Sequence, residues 1–215
     1  MWKWSRRIYR LGGRIGASLG NNKPNTLSSL IVPDPANILP QLTNPGPLPY
    51  RLACLCDLRD EQGRVLLIRR KKEPNFGLCS PIGGKLDMET GESPAQCAQR
   101  EIREEAGIDI PIDRIHLAGL ISECAFEGQG HWLLFYYRIL GPVAVKEGPM
   151  KEGLLEWHEQ DTVSSLPLPE TDRRIIWPLV KKHENSGHDG KPGFFALHID
   201  CRPGELIWSI EQESP

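Results

Sequence analysis

The sequence lacks a long apolar run. Among its 215 residues the longest such stretches, 132–137 for example, fall far short of the roughly 20 residues that span a bilayer. It lacks an excess of either charge: 26 lysines and arginines against 28 acids leave a formal −2, which excludes a chain held to nucleic acid by bulk charge alone. The six cysteines contain no CxxC, and the six histidines show no metal-ligand spacing. Buried free thiols in a reducing cytosol therefore account for Cys54, Cys56, Cys79, Cys97, Cys124 and Cys201 better than zinc or disulfides do. The basic N-terminus has no apolar core segment, which argues against a secretory signal. Internal repeats and long low-complexity tracts are absent as well. A hydrophobic content of 39% with 25% charged residues is a soluble globular balance and excludes wholesale disorder.

The near-neutral total hides an asymmetry. Residues 1–24 carry Lys3, Arg6, Arg7, Arg10, Arg14 and Lys23 and no acid, so the remaining 191 residues carry −8 against the total of −2. An acidic body suits a metal-using site better than a polyanion groove. The tail mixes Trp2, Trp4 and Ile8 with its arginines, as a membrane-surface helix would. Gly12, Gly13 and Gly16 weaken any helix there and favour an unstructured tail. Six prolines between 33 and 49 give linker composition. The division expected is a basic tail and Pro-rich linker over 1–48, and one folded domain over 49–215.

Within that domain, 50–57 and 64–70 read as strands joined into a hairpin by the Asp60-Glu61-Gln62-Gly63 turn. Ser93-Pro94-Ala95-Gln96 is a capping box with Pro at the first helical position, and Gly107 is a helix stop, so a helix runs over about 94–106. Strands follow over 115–124 and 132–140. A second helix over 171–183 contains Pro178, which should kink it. Segments 193–200 and 205–211 close the chain as a hairpin. The fold class expected is α+β, a mixed sheet between helices.

The first helix carries the chemistry. Glu101, Glu104 and Glu105 stand at i, i+3 and i+4 and share one face. Three like charges so close repel one another, and a divalent cation would relieve them. Mg²⁺ takes oxygen ligands and keeps waters, leaving room for substrate phosphates. A solvated acidic face with Arg100 as neighbour is the plainer reading. The Gly83-Gly84 pair ahead of a cleanly capped helix tips the balance, because glycine lets backbone approach a ligand closely.

The segment resembles the Nudix box of the Nudix hydrolases, G-x5-E-x7-R-E-U-x-E-E-x-G-U with U aliphatic. Glu92, seven residues, then Arg100-Glu101-Ile102-Arg103-Glu104-Glu105-Ala106-Gly107-Ile108 match its second half at every fixed position. Seven residues rather than five separate Gly84 from Glu92, a two-residue insertion within 86–91. The likeness extends over about 50–183. Near 152–157 and 166–172 it is similar to the branch that cleans the nucleotide pool, the 8-oxo-dGTP type.

The resemblance implies an α/β/α sandwich that cleaves a nucleoside diphosphate linked to another group, using Mg²⁺ or Mn²⁺. It implies Glu101, Glu104, Glu105 and the Gly83 carbonyl as metal ligands, Glu101 also as base, Arg100 as its orienter and Glu92 as a structural residue. Lys85 is a candidate phosphate contact. One of Glu127, Glu147 and Glu152 would add a carboxylate from a late loop. Phe126, Trp132 and Trp157 are candidates to stack on a base, although core or rim packing is the plainer reading of each. The basic run Arg69-Arg70-Lys71-Lys72 reads more readily as a solvated loop than as a phosphate contact. The leading substrate is a nucleoside triphosphate, oxidised or not, with ADP-ribose or a dinucleotide next. A non-catalytic binding module has no need of the charge cluster, and no Cys–acid pair singles out a prenyl diphosphate isomerase. Neither nucleic acid nor a transmembrane segment is expected, the compartment expected is the cytoplasm, and the oligomeric state stays open, a homodimer included.

Overall fold

Residues 94–106 form the helix their end signals prescribe. Ser93 accepts from the Gln96 backbone N–H, the Gln96 side chain accepts from the Ser93 N–H, and Gly107 ends the helix in the left-handed conformation (φ 70°, ψ 20°). The structure is a computed structural model that describes residues 7–9, 49–73, 75–202 and 204–214. Its elements are β1 (Arg7–Tyr9), β2 (Tyr50–Asp57), β3 (Val65–Arg70), β4 (Cys79–Ser80), α1 (Pro94–Ala106), β5 (Ile115–Phe126), β6 (Gly130–Ile139), β7 (Gly148–Pro149), β8 (Gly153–His158), a π-helical turn (Asp172–Ile176) running into α2 (Trp177–Lys182), β9 (Phe195–Asp200) and β10 (Ile207–Glu213).

The strands form two sheets. A mixed sheet has the order β1-β10-β9-β5-β6-β2, with β2–β6 and β5–β9 parallel, and an antiparallel sheet has the order β4-β3-β8-β7. Helix α1 covers one face through Cys97, Ala98 and Ile102, packed with Cys54, Cys56, Leu66 and Ile68. The π turn and α2 cover the other through Ile175, Ile176, Trp177 and Leu179, packed with Ala53, Val65 and Leu67. This is the expected α+β sandwich. Strand β2 is buried on both faces, and Cys54 and Cys56 point together into the α1 side as free thiols.

Two expectations need correction. Strands β2 and β3 do not make a hairpin. They part into different sheets, and the chain between them closes through the Arg59–Val65 bridge, the Leu66 N–H to Leu58 carbonyl bond (3.1 Å) and the Asp60 N–H to Arg64 carbonyl bond (3.2 Å). The Asp60 turn forms, its Oδ1 accepting from the Gln62 and Arg64 N–H groups, but the apolar faces of β2 find their partner in distant β6. The helix over 171–183 is not a kinked α-helix. Pro178 offers no N–H to the Arg174 carbonyl, and the turn before it widens so that Trp177 N–H bonds to the Asp172 carbonyl. The closing hairpin is β9–β10. Of the expected tail and linker, only Arg7–Tyr9 is described; its backbone is extended and pairs antiparallel with β10, not helical, and the rest lies outside the described residues.

A buried charge cluster pins β2 to β6. Asp57, 1% exposed, accepts from Arg59 (2.6 and 3.0 Å) and from Arg138 (2.8 Å). Burial raises its pKa, but the guanidinium charges of Arg59 and Arg138 outweigh it and hold the carboxyl below its ordinary range. Asp57→Ala leaves the two guanidiniums with only the longer ion pairs to Glu184 (3.5 Å each) and should cost about 3–5 kcal/mol, read as a lower urea midpoint at unchanged slope. A loss under about 1 kcal/mol would show the cluster to be dispensable.

Candidate active site

The three helix glutamates share a face, yet their surroundings differ. Glu105 is buried, and its Oε2 accepts from the Gly83 N–H (3.0 Å). Glu101 is half-buried, with Arg100 Nη1 donating to its Oε1 (2.6 Å). The Glu104 side chain is 58% exposed and stands 3.7 Å from Arg100. Arg100 also grips Glu92 through two bonds (2.7 and 3.1 Å) and donates to the Lys85 carbonyl (3.1 Å). Glu92 in turn accepts from the Asp87 N–H (2.6 Å). The two-residue insertion is absorbed by a local turn, Asp87 Oδ1 accepting from the Glu89 and Thr90 N–H groups (3.0 and 3.2 Å), so the Glu92–Arg100 clamp survives it.

The loop before the helix lies along β2. Cys56 N–H donates to Ile82, Cys54 N–H to Gly84, and Leu86 N–H to Leu52. This approach requires glycine at 83, where a Cβ would collide with the Cys54 carbonyl, while a Cβ on Gly84 would displace the Glu101 carboxylate. Among the described residues, no donor reaches the Gly83 carbonyl. Burial pushes Glu105 up to about 8, against the lowering effect of the Gly83 N–H and together with the charges of Glu101 and Glu152. Burial also raises Glu101, opposed by Arg100 and aided by Glu104 and Glu152. Of the three late carboxylates, Glu152 is the one that acts on both helix glutamates. Glu147 accepts from the Trp157 N–H (2.7 Å) elsewhere, and Glu127 faces Glu123.

A cleft of about 880 Å³ joins these groups to a second constellation. Gly83, Gly84, Glu101 and Glu152 line it together with Trp132, Phe126, Glu123 and Asp172. Exposed Lys85 lies at the cleft with its Nζ 6.0 Å from the Trp132 ring centre, and the Arg51 guanidinium lies 5.3 Å from it. Trp157 packs away from the cleft, its Nε1–H donating to Val145. Arg69 and Arg70, read from the sequence as solvated, pair with Glu156 and Glu152, and Arg70 lines the cleft.

Thr171 and Asp172 close the 166–172 segment, but no sequence motif singles out Glu123. A signal was there, since Glu123 interrupts the inward alternation Ile121, Glu123, Ala125 on β5. Glu123 is 4% exposed and bonds Thr171; burial raises it to about 7. Burial and the Glu123 charge raise Asp172 to about 8. Acids whose folded pKa lies above the unfolded value stabilise the fold least when ionised. The stability they allow is full below about pH 4 and is lost as pH rises through about 8. The melting temperature should therefore fall between pH 5.5 and 8.5, and Asp172→Asn should flatten that fall. An unchanged slope in the variant would place the ionisation elsewhere.

The NUDIX domain family model matches residues 49–182. An uncharacterized Nudix hydrolase of Bacillus subtilis, YvcI, is 30% identical over 121 residues, 55% of this chain and 72% of its own. The 8-oxo-dGTP diphosphatase of Haemophilus influenzae is 28% identical over 133 residues, 60% of this chain and 90% of its own. The crystal structure of a MutT protein from Bacillus halodurans superposes with a TM-score of 0.54 at 26% identity, covering 73% of this chain and 94% of that one. With a family match over most of the folded region, this chain belongs to the Nudix family of hydrolases.

Proposed function

We propose that this chain hydrolyses the pyrophosphate linkage of a nucleoside triphosphate, oxidised forms included, with Mg²⁺ or Mn²⁺ held by Glu101, Glu104, Glu105 and the Gly83 carbonyl. The observation that carries the reading is the cleft itself, which brings Gly83, Gly84, Glu101 and Glu152 together with Trp132 and Phe126, aromatic side chains suited to a base. The donor set fits a hard divalent ion: carboxylate oxygens, a carbonyl without a donor, and a Gly84 surface with no room for a side chain. Glu152 would add a further oxygen. Such an ion supplies neutralisation of phosphate charge and acidification of a bound water.

The chain's own residues do the rest. Arg100, anchored by Glu92, fixes Glu101 so that its carboxylate accepts the proton of the attacking water. The water oxygen adds to phosphorus as the bridging P–O bond breaks. Lys85 meets the phosphate chain at the cleft mouth. Trp132 and Phe126 stack on the base. A Glu123–Asp172 pair that retains a proton near neutral pH can both donate and accept at a base edge. The similarity to the Haemophilus influenzae enzyme supports the triphosphate class over ADP-ribose or a dinucleotide. Six free cysteines support a reducing cytosolic setting, and the activity resides in the domain expected over 49–215.

In a pyrophosphatase panel of ordinary and oxidised nucleoside triphosphates, ADP-ribose and dinucleotides, a triphosphate should give the highest kcat/KM. EDTA should abolish activity and excess Mg²⁺ or Mn²⁺ restore it; full activity in chelator would sink the mechanism. Glu104→Gln should keep the wild-type melting temperature, because its ion pair is exposed and long, while kcat falls by about 100-fold or more. A stable variant with wild-type turnover would remove Glu104 from the site.

A further inference from the structure

We infer that Cys79, Glu156 and His158 form a binding site for a zinc-class divalent ion, separate from the glutamates of α1. Cys79 lies on β4, and Glu156 and His158 lie two apart on β8, with β3 between the two strands. Their ligand atoms, one from each residue, all lie within 4.8 Å of one another. None of the three lines the active-site cleft. Cys79 packs with Val65 and Leu67 on the α2 side, while the next residues on each strand, Arg70 and Ser80, line the cleft.

Three observations point to an ion. His158 Nε2 is buried with no hydrogen-bond partner, and its 3.8 Å separation from Glu156 Oε2 is too long for a hydrogen bond. The Cys79 thiol is free and fully buried, in a backbone frame fixed by its N–H bond to Pro167 (2.7 Å). Arg69 donates to Glu156 Oε2 (2.8 Å), which leaves the other oxygen without a donor among the described residues and supplies the outer contact that ligating carboxylates use. Donors about 2.0–2.3 Å from a tetrahedral centre stand about 3.3–3.8 Å apart, so small side-chain movements close the set. Thiolate, imidazole and carboxylate together select zinc-like ions over Mg²⁺, with water in the fourth position. On binding, the Cys79 S–H proton passes to solvent and the sulfur–metal bond replaces it. The ion would tie β4, which leads into the Gly83-Gly84 loop, to β8, which follows Glu152.

The test uses the full chain stripped by chelator and titrated with Co²⁺. One equivalent should bring up a near-ultraviolet sulfur-to-cobalt charge-transfer band with strong visible bands of tetrahedral cobalt, and Zn²⁺ should bleach them. Excess Mg²⁺ should leave them in place. Cys97→Ser should keep the band, and Cys79→Ser and His158→Gln should lose it. Zn²⁺ should raise the melting temperature of the wild type and not of His158→Gln, which decides the matter if Cys79→Ser fails to fold. No sulfur band in folded protein at tenfold excess Co²⁺, a band displaced by Mg²⁺, or a band that survives in a folded Cys79→Ser or His158→Gln variant would overturn the site.

Discussion

The contact on which the site depends is that between α1 and a backbone without side chains. Gly83 lies against β2 so closely that no Cβ fits, with its N–H donating to Glu105, and the bare Gly84 backbone leaves room for the Glu101 carboxylate. The arrangement is costly in isolation. Burial and mutual repulsion raise both carboxyls, and Arg100 offsets only part of the charge while it spans Glu92 and Glu101. A site built at such expense of stability is what is expected where ligand affinity, rather than fold, dictates the residues.

The rest of the domain holds that contact still. Cys97, Ala98 and Ile102 seat α1 on β2, and the Asp57–Arg59–Arg138 cluster fixes β2 against β6. The same sheet carries further cleft residues, Trp132 on β6 and Glu123 on β5. Arg70 adds a link from the second sheet by holding Glu152 beside the helix glutamates (3.3 Å).

What the sequence made legible was local. The capping box, Pro94 and Gly107 mark α1 to the residue because each signal acts within one turn. The closing hairpin could be read for the same reason. Partner choice could not: β2 is a short apolar run like any strand buried on both faces, and nothing near Asp60 tells that its neighbour lies some eighty residues on. The π turn follows from Pro178, but its form depends on the packing of Ile175 and Ile176. Among the late carboxylates, Glu152 could not be separated from Glu127 and Glu147, because strand pairing of β8 with β3 decides which one arrives. Cys79 and His158 meet through the same pairing, and their separation in the chain hides them from any spacing rule.

The central claim is that the buried glutamates beside Gly83 hold the divalent ion that the reaction requires. Anomalous diffraction from crystals of the full chain grown with Mn²⁺ tests it most directly. The account predicts a peak within coordination distance of Glu101, Glu105 and the Gly83 carbonyl, lost in crystals of Glu105→Gln. Mn²⁺ density absent from the glutamates, or found only elsewhere on the molecule, would contradict it.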